Sequence, residues 1–97
     1  MTIDDILTEG RRTWGDKPMT LAHIAAAVNV VSGDIARHAR GQFEGKESDP
    51  AALKTELGNL ISSVVRWCDD LGFDPAACVQ LSQQAQAEYA TKHPPKW

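Results

Sequence analysis

The chain of 97 residues has little of the chemistry that usually fixes a class at first reading. It holds two cysteines, Cys68 and Cys78, with no His or further Cys at ligand spacing, which excludes a zinc site and a disulfide framework. Both read as reduced core residues, since a free thiol behaves as a small buried hydrophobe. No apolar run approaches the roughly 18–20 residues that span a bilayer. The acidic start Met1-Thr2-Ile3-Asp4-Asp5 lacks the basic character of a signal peptide, so a cytoplasmic protein with no membrane partner is expected. There is no excess of positive charge either. The net charge is −3 and the basic residues are scattered, which argues against nucleic acid. Nowhere do apolar and polar residues alternate over the length of a half-buried strand, so strand content should be near zero.

What is present is helical. Hydrophobic residues make up 42% and charged residues 24%, a balance suited to one small globular domain. Thr2 with Asp5 forms a capping-box pattern ahead of Ile3, Ile6 and Leu7, predicting a short helix to Gly10 and a connector over 11–19. Thr20 can cap a second helix in which Leu21, Ile24, Ala25, Val28, Val31 and Ile35 recur at steps of three and four, ending near Gly41. The tetrapeptide Asp-Pro-Ala-Ala occurs at 49–52 and again at 74–77, each copy placing an N-cap aspartate before a proline at the first helical position. These start the third and fourth helices. A single all-α domain over 1–92, with 93–97 as a mobile C-terminal tail, is the expected layout.

The third helix carries Leu53, Leu57, Leu60, Ile61, Val64, Cys68 and Leu71 as an apolar stripe, with Val65 and Trp67 off it. A helix apolar on more than one side needs two neighbours. In so short a chain the second belongs to another subunit, so a homo-oligomer, dimer or tetramer, is expected. Glu56 and Asn59, three apart, share one polar edge of this helix with Ser63 and Arg66. Asp34 sits in an otherwise apolar part of the second helix. If the two helices pack antiparallel, Asp34 and Glu56 can approach as a divalent metal site. The alternative is that Asp34 is solvated beside Arg37, and that Glu56 with Asn59 is only the polar side of an amphipathic helix.

The stretch 56–74, Glu-Leu-Gly-Asn-Leu-Ile-Ser-Ser-Val-Val-Arg-Trp-Cys-Asp-Asp-Leu-Gly-Phe-Asp, resembles the Glu-Leu-Gly-Asp segment and following helix of the MazG-like all-α nucleoside triphosphate pyrophosphohydrolases. The stretch 31–36, Val-Ser-Gly-Asp-Ile-Ala, resembles that family's first acidic motif, with Asp34 at its second acid and Val31 where the first is expected. The resemblance implies a MazG-like bundle completed by oligomerisation. It implies a Mg²⁺ site of Asp34, Glu56 and Asn59, and Mg-dependent hydrolysis of an NTP or dNTP to monophosphate and pyrophosphate, with Glu56 as the catalytic carboxylate. Val31 and Asn59 replace two of the family's four carboxylates, so the alternative implied is a catalytically impaired helical oligomer that binds nucleotides or protein partners. Arg12 and Trp14 fall where the family places residues that contact a nucleotide. On the last helix, where the family presents Lys and Asn toward the phosphates, this sequence has Ser82 and Gln86 at the corresponding turns and Lys92 further along, a departure from the enzymatic pattern.

Overall fold

The computed structural model describes residues 1–94, which form four α-helices: α1 Ile3–Trp14, α2 Leu21–Phe43, α3 Pro50–Asp70 and α4 Pro75–Lys92. No strand occurs among the described residues. Three helices start as their sequences predict. The Thr2 N–H donates to Asp5 Oδ2 at 2.8 Å while the Asp5 N–H donates to Thr2 Oγ1 at 3.1 Å, a closed capping box. Thr20 Oγ1 accepts from the His23 N–H at 3.3 Å, and Asp49 Oδ1 from the Ala52 N–H at 3.1 Å. The twin tetrapeptides differ in detail: Asp74 makes no side-chain cap, and the buried Pro75 alone sets the start of α4.

Two boundaries move outward. α1 runs through Gly10 to Trp14 because Gly10 marks a close approach, not a stop: a Cβ there would lie 3.6 Å from Arg66 Cδ on α3. The stop is Gly15, whose φ of 90° suits glycine and whose N–H donates to the Arg11 carbonyl at 2.8 Å. α2 continues past Gly41 to Phe43. At the other end of the chain His93 caps α4, its N–H on the Tyr89 carbonyl and its ring stacked on Tyr89 with centroids 4.4 Å apart. Of the tail expected to be mobile, residues 95–97 lie outside the described residues.

α3 packs against each of the other three helices. Its burial departs from the expected stripe. Trp67, expected to lie off it, is only 7% exposed and shares that depth with Ile24 of α2, whereas Leu57, Ile61, Val64 and Leu71 are exposed. The extra turn of α1 explains the difference, because α1 covers the Ser63–Arg66–Trp67 side of α3 from within the chain. The part left without a neighbour among the described residues is the Leu57, Ile61 and Val64 side of the stripe, while Leu53, Leu60 and Cys68 are half-buried.

A buried carboxylate ties the helices together. The Asp70 side chain is fully buried at the end of α3. Its Oδ1 lies 2.5 Å from Arg11 Nη2 of α1, its Oδ2 accepts the Met19 N–H of the α1–α2 connector at 3.1 Å, and Arg66 Nε stands 3.9 Å from it. Arg11 also reaches Asp69 at 2.7 Å. Asp69 and then Asp70 raise the Arg11 pKa further by their hydrogen bonds, so the guanidinium stays charged. Asp70→Ala would take from Arg66 its ion-pair partner among the described residues and from Arg11 one of its two, and these side chains are only 14% and 20% exposed. The expected cost is roughly 2–4 kcal/mol, against under about 1 kcal/mol for Asp69→Ala. Urea titrations at one fixed protein concentration check this, and equal losses at the two positions would remove Asp70 from its central role.

Candidate functional site

Half-buried or buried positions on α2 recur as Ile24, Ala27, Val31, Asp34, Ile35, His38 and Gly41, and on α3 as Leu53, Glu56, Leu60, Ser63 and Trp67. These are the two sides of one helical seam. The turn over 44–49 is short, so the helices form an antiparallel hairpin. Asp34 lies nine residues before the end of α2 and Glu56 six residues after the start of α3. At about 1.5 Å per residue the two acids stand at heights within roughly 5 Å of each other along the hairpin. Asn59 is exposed, and with Asp34 it is turned toward the side of the hairpin that carries α1.

The acids differ in their surroundings. Asp34, 28% exposed, accepts from Arg37 one turn along its own helix. Glu56 makes no hydrogen bond or ion pair among the described residues and is the free carboxylate of the seam. An exposed i,i+3 pair stabilises by only about 0.2–0.5 kcal/mol, so Arg37 holds Asp34 against a competing cation by a factor of about two. Among the described residues no three His, Cys, Asp or Glu side chains converge to hold a metal ion. Two carboxylates and an amide oxygen suit one Mg²⁺ whose octahedron is completed by phosphates and water. They do not suit two, because adjacent divalent cations need more negative charge than this donor set carries.

The remaining sequence-derived residues are more dispersed. Arg12 is exposed and paired with Glu9 on its own helix. Trp14, 74% exposed, ends α1 at the rim of a cavity of about 270 Å³ between α1 and α3. Gln86 donates to Ser82 Oγ at 3.2 Å along α4, and Lys92 is the last residue of that helix. Beyond Cys78 every described residue of α4 is exposed, so within one chain α4 does not bring Gln86 and Lys92 onto the acids.

Sequence reasoning missed the cavity. Arg66, Trp67, Ser62 and Ser63 of α3 face Asp5, Glu9 and Trp14 of α1 across it. Arg66 Nε is buried without a hydrogen-bond partner. A signal was present in the acid pair Asp69–Asp70 at the C-terminus of α3. Carboxylates there oppose the helix dipole and call for basic partners, which Arg11 and Arg66 supply.

Cys68 and Cys78 are both free and half-buried at the α3–α4 corner, consistent with their reading as reduced residues. Burial first, and then the neighbouring Cys78 thiol, push the Cys68 pKa up. A raised thiol pKa lowers the thiolate fraction at any pH below it. Cys68 should therefore be alkylated by iodoacetamide at pH 8 more slowly than a cysteine in the urea-unfolded chain. Its rate should keep rising with pH beyond the range where the unfolded chain levels off. Peptide mapping of the time course checks this, and matching pH profiles would contradict it.

No protein-family model matches the chain, and neither a curated protein nor a solved structure matches it. No helix among the described residues is long and apolar enough to cross a membrane.

Proposed function

We propose that this chain is a homo-oligomeric, MazG-like nucleotide pyrophosphohydrolase-type protein whose site is reduced to a single metal position. The observation that carries the reading is the placement of Asp34 and Glu56, half-buried at matching heights on two helices that share a seam. Asp34, Glu56 and the amide oxygen of Asn59 are the residues that would hold Mg²⁺ together with the phosphates of an NTP or dNTP. When bound, the ion offsets phosphate charge and lowers the pKa of a coordinated water. The overall reaction adds water across the phosphoanhydride to give monophosphate and pyrophosphate. Glu56, without a partner among the described residues, would be free to orient an attacking water and take its proton. Trp14, exposed at the rim of the α1–α3 cavity, offers a face for the base, and Arg12 lies two residues before it.

A second reading is a helical oligomer that keeps this build without catalysis, acting as a nucleotide-binding or protein-interaction module. The Asp34–Arg37 pair, and the absence among the described residues of any three His, Cys, Asp or Glu side chains placed to hold a metal, favour it.

Restoring the missing charge separates the two readings. Val31→Glu with Asn59→Asp should tighten Mg²⁺ binding and raise pyrophosphate release from NTPs, with about tenfold in affinity corresponding to 1.4 kcal/mol of added attraction. The same double variant should be less stable without metal, because four nearby carboxylates repel and Val31 gives up apolar burial. Glu56→Ala in the natural chain should abolish any Mg²⁺-dependent nucleotide effect. Calorimetry with Mg²⁺ and a pyrophosphate assay across the common NTPs and dNTPs read these outcomes. A double variant that neither binds metal better nor hydrolyses any of them leaves the non-catalytic module as the function.

A further inference from the structure

We infer that Cys68 and Cys78 form a reversible thiol–disulfide switch that locks α4 to the end of α3. The two cysteines stand on either side of the corner over 71–74. The chain turns back tightly there. Gly72 takes a φ of 81°, and the Phe73 N–H donates to the Cys68 carbonyl at 2.9 Å, so the corner folds over the turn that carries Cys68. Cys78 lies in the first turn of α4, its N–H on the Asp74 carbonyl at 3.1 Å. It follows the buried Pro75 by three residues and shares its face, the one that α4 sets against α3. The two thiols are neighbours, and both are free and half-buried. Among the described residues no third His, Cys, Asp or Glu joins them to hold a metal, so the chemistry left to the pair is with each other.

What the bond controls follows from how α4 is attached. Pro75 and Cys78 are the residues of α4 that are not exposed, and every residue over 79–92 is exposed. The anchor of an 18-residue helix is thus a single turn, and Cys78 is part of it. A joint so lightly packed opens at low cost. A bond from Cys78 to Cys68 closes the loop 68–78 and removes that freedom. The angle of α4, and with it the placing of Gln86 and Lys92, then depends on the redox state of the corner. The oxidant is a low-molecular-weight disulfide. The Cys78 thiolate attacks one of its sulfurs and breaks its S–S bond, leaving a mixed disulfide, and the small thiolate released takes up a proton. The Cys68 thiolate then attacks Cys78 Sγ, forms the Cys68–Cys78 bond and expels the second small thiolate, which is protonated in turn. Two electrons and two protons pass from the protein dithiol to the small disulfide, and excess thiol reverses the exchange. Burial holds Cys68 as the thiol, which suits it to the second step, where proximity offsets a small thiolate fraction.

The test places the full chain, dilute, in buffers of graded ratio of glutathione to glutathione disulfide. Acid quenching and peptide mapping should show a Cys68–Cys78 bond within one chain that dithiothreitol removes. The effective concentration of the pair should be at least about tenfold higher in the folded chain than in the urea-unfolded chain, because the fold already holds the thiols together. By linkage the oxidised chain should resist urea better than the reduced chain, by the same factor in its folding equilibrium. Amide hydrogen exchange over residues 76–80, at the root of α4, should slow by about tenfold on oxidation. Cys68→Ser should accumulate the mixed disulfide on Cys78. A natural chain that stops at mixed disulfides, that links only between chains, or whose effective concentration is no higher folded than unfolded overturns the pairing. A bond that forms without slowing exchange over 76–80 overturns the lock. These measurements on the natural chain decide even if Cys68→Ser fails to fold.

Discussion

Everything in this fold hangs on α3, because it is the helix against which α1, α2 and α4 each pack. Its C-terminal turn holds the most constrained groups in the chain: Trp67 in the interior and the buried Asp70, which joins Arg11, the Met19 N–H and Arg66. A buried carboxylate is tolerable only where charge and hydrogen bonds replace its lost water. That requirement pins α1 and the connector after it to the end of α3. The path of the connector and the register of α1 on α3 therefore follow from one side chain more than from apolar area, of which this chain buries little.

The helices were legible because their starts are written in local chemistry. A capping box, a threonine cap and two Asp-Pro pairs act within four residues, and no tertiary partner overrides them. What was not legible depends on such partners. Gly10 reads as a helix stop until α1 is set against Arg66, when its missing Cβ becomes room for a neighbour. Trp67 reads as a stray residue off the stripe until α1 lies over it. The apolar residues on more than one side of α3 marked it as a helix with several neighbours, and α1, α2 and α4 each pack on it. Which of its faces α1 would take could not follow from the periodicity of α3 alone.

The site was legible in part for the same reason. Spacing along one helix puts Glu56 and Asn59 on adjacent faces whatever the tertiary structure, and a short turn between long helices brings Asp34 to a comparable height. The Arg37 pair was also readable, as an i,i+3 neighbour. The positions of Gln86 and Lys92 depend on the angle at which α4 leaves the corner at Pro75. That angle is set by packing at Cys78 and Pro75, on which helical periodicity is silent. The Arg66 cavity arises only between two helices that are fifty residues apart in sequence, and nothing local marks it beyond the misplaced acids at the end of α3.

The division of the hairpin into two sides links assembly to chemistry. One side carries α1, the cavity with its under-partnered guanidinium, and the acids of the seam. The other carries Leu21, Val28, Leu57, Ile61 and Val64, the small Ala25, Ser32 and Ala39, and one charge, Lys54. If self-association covers the apolar side, the hairpin gains its missing core without desolvating Asp34 or Glu56, whose burial as charged groups would otherwise be costly. It also stiffens the two helices that set the spacing of the acids. Alignment of the proposed metal site would then depend on a surface that contributes no ligand to it. Loss of assembly would loosen the acid spacing before it removed any acid, because the apolar face is where this short chain lacks the contacts that fix one helix against another.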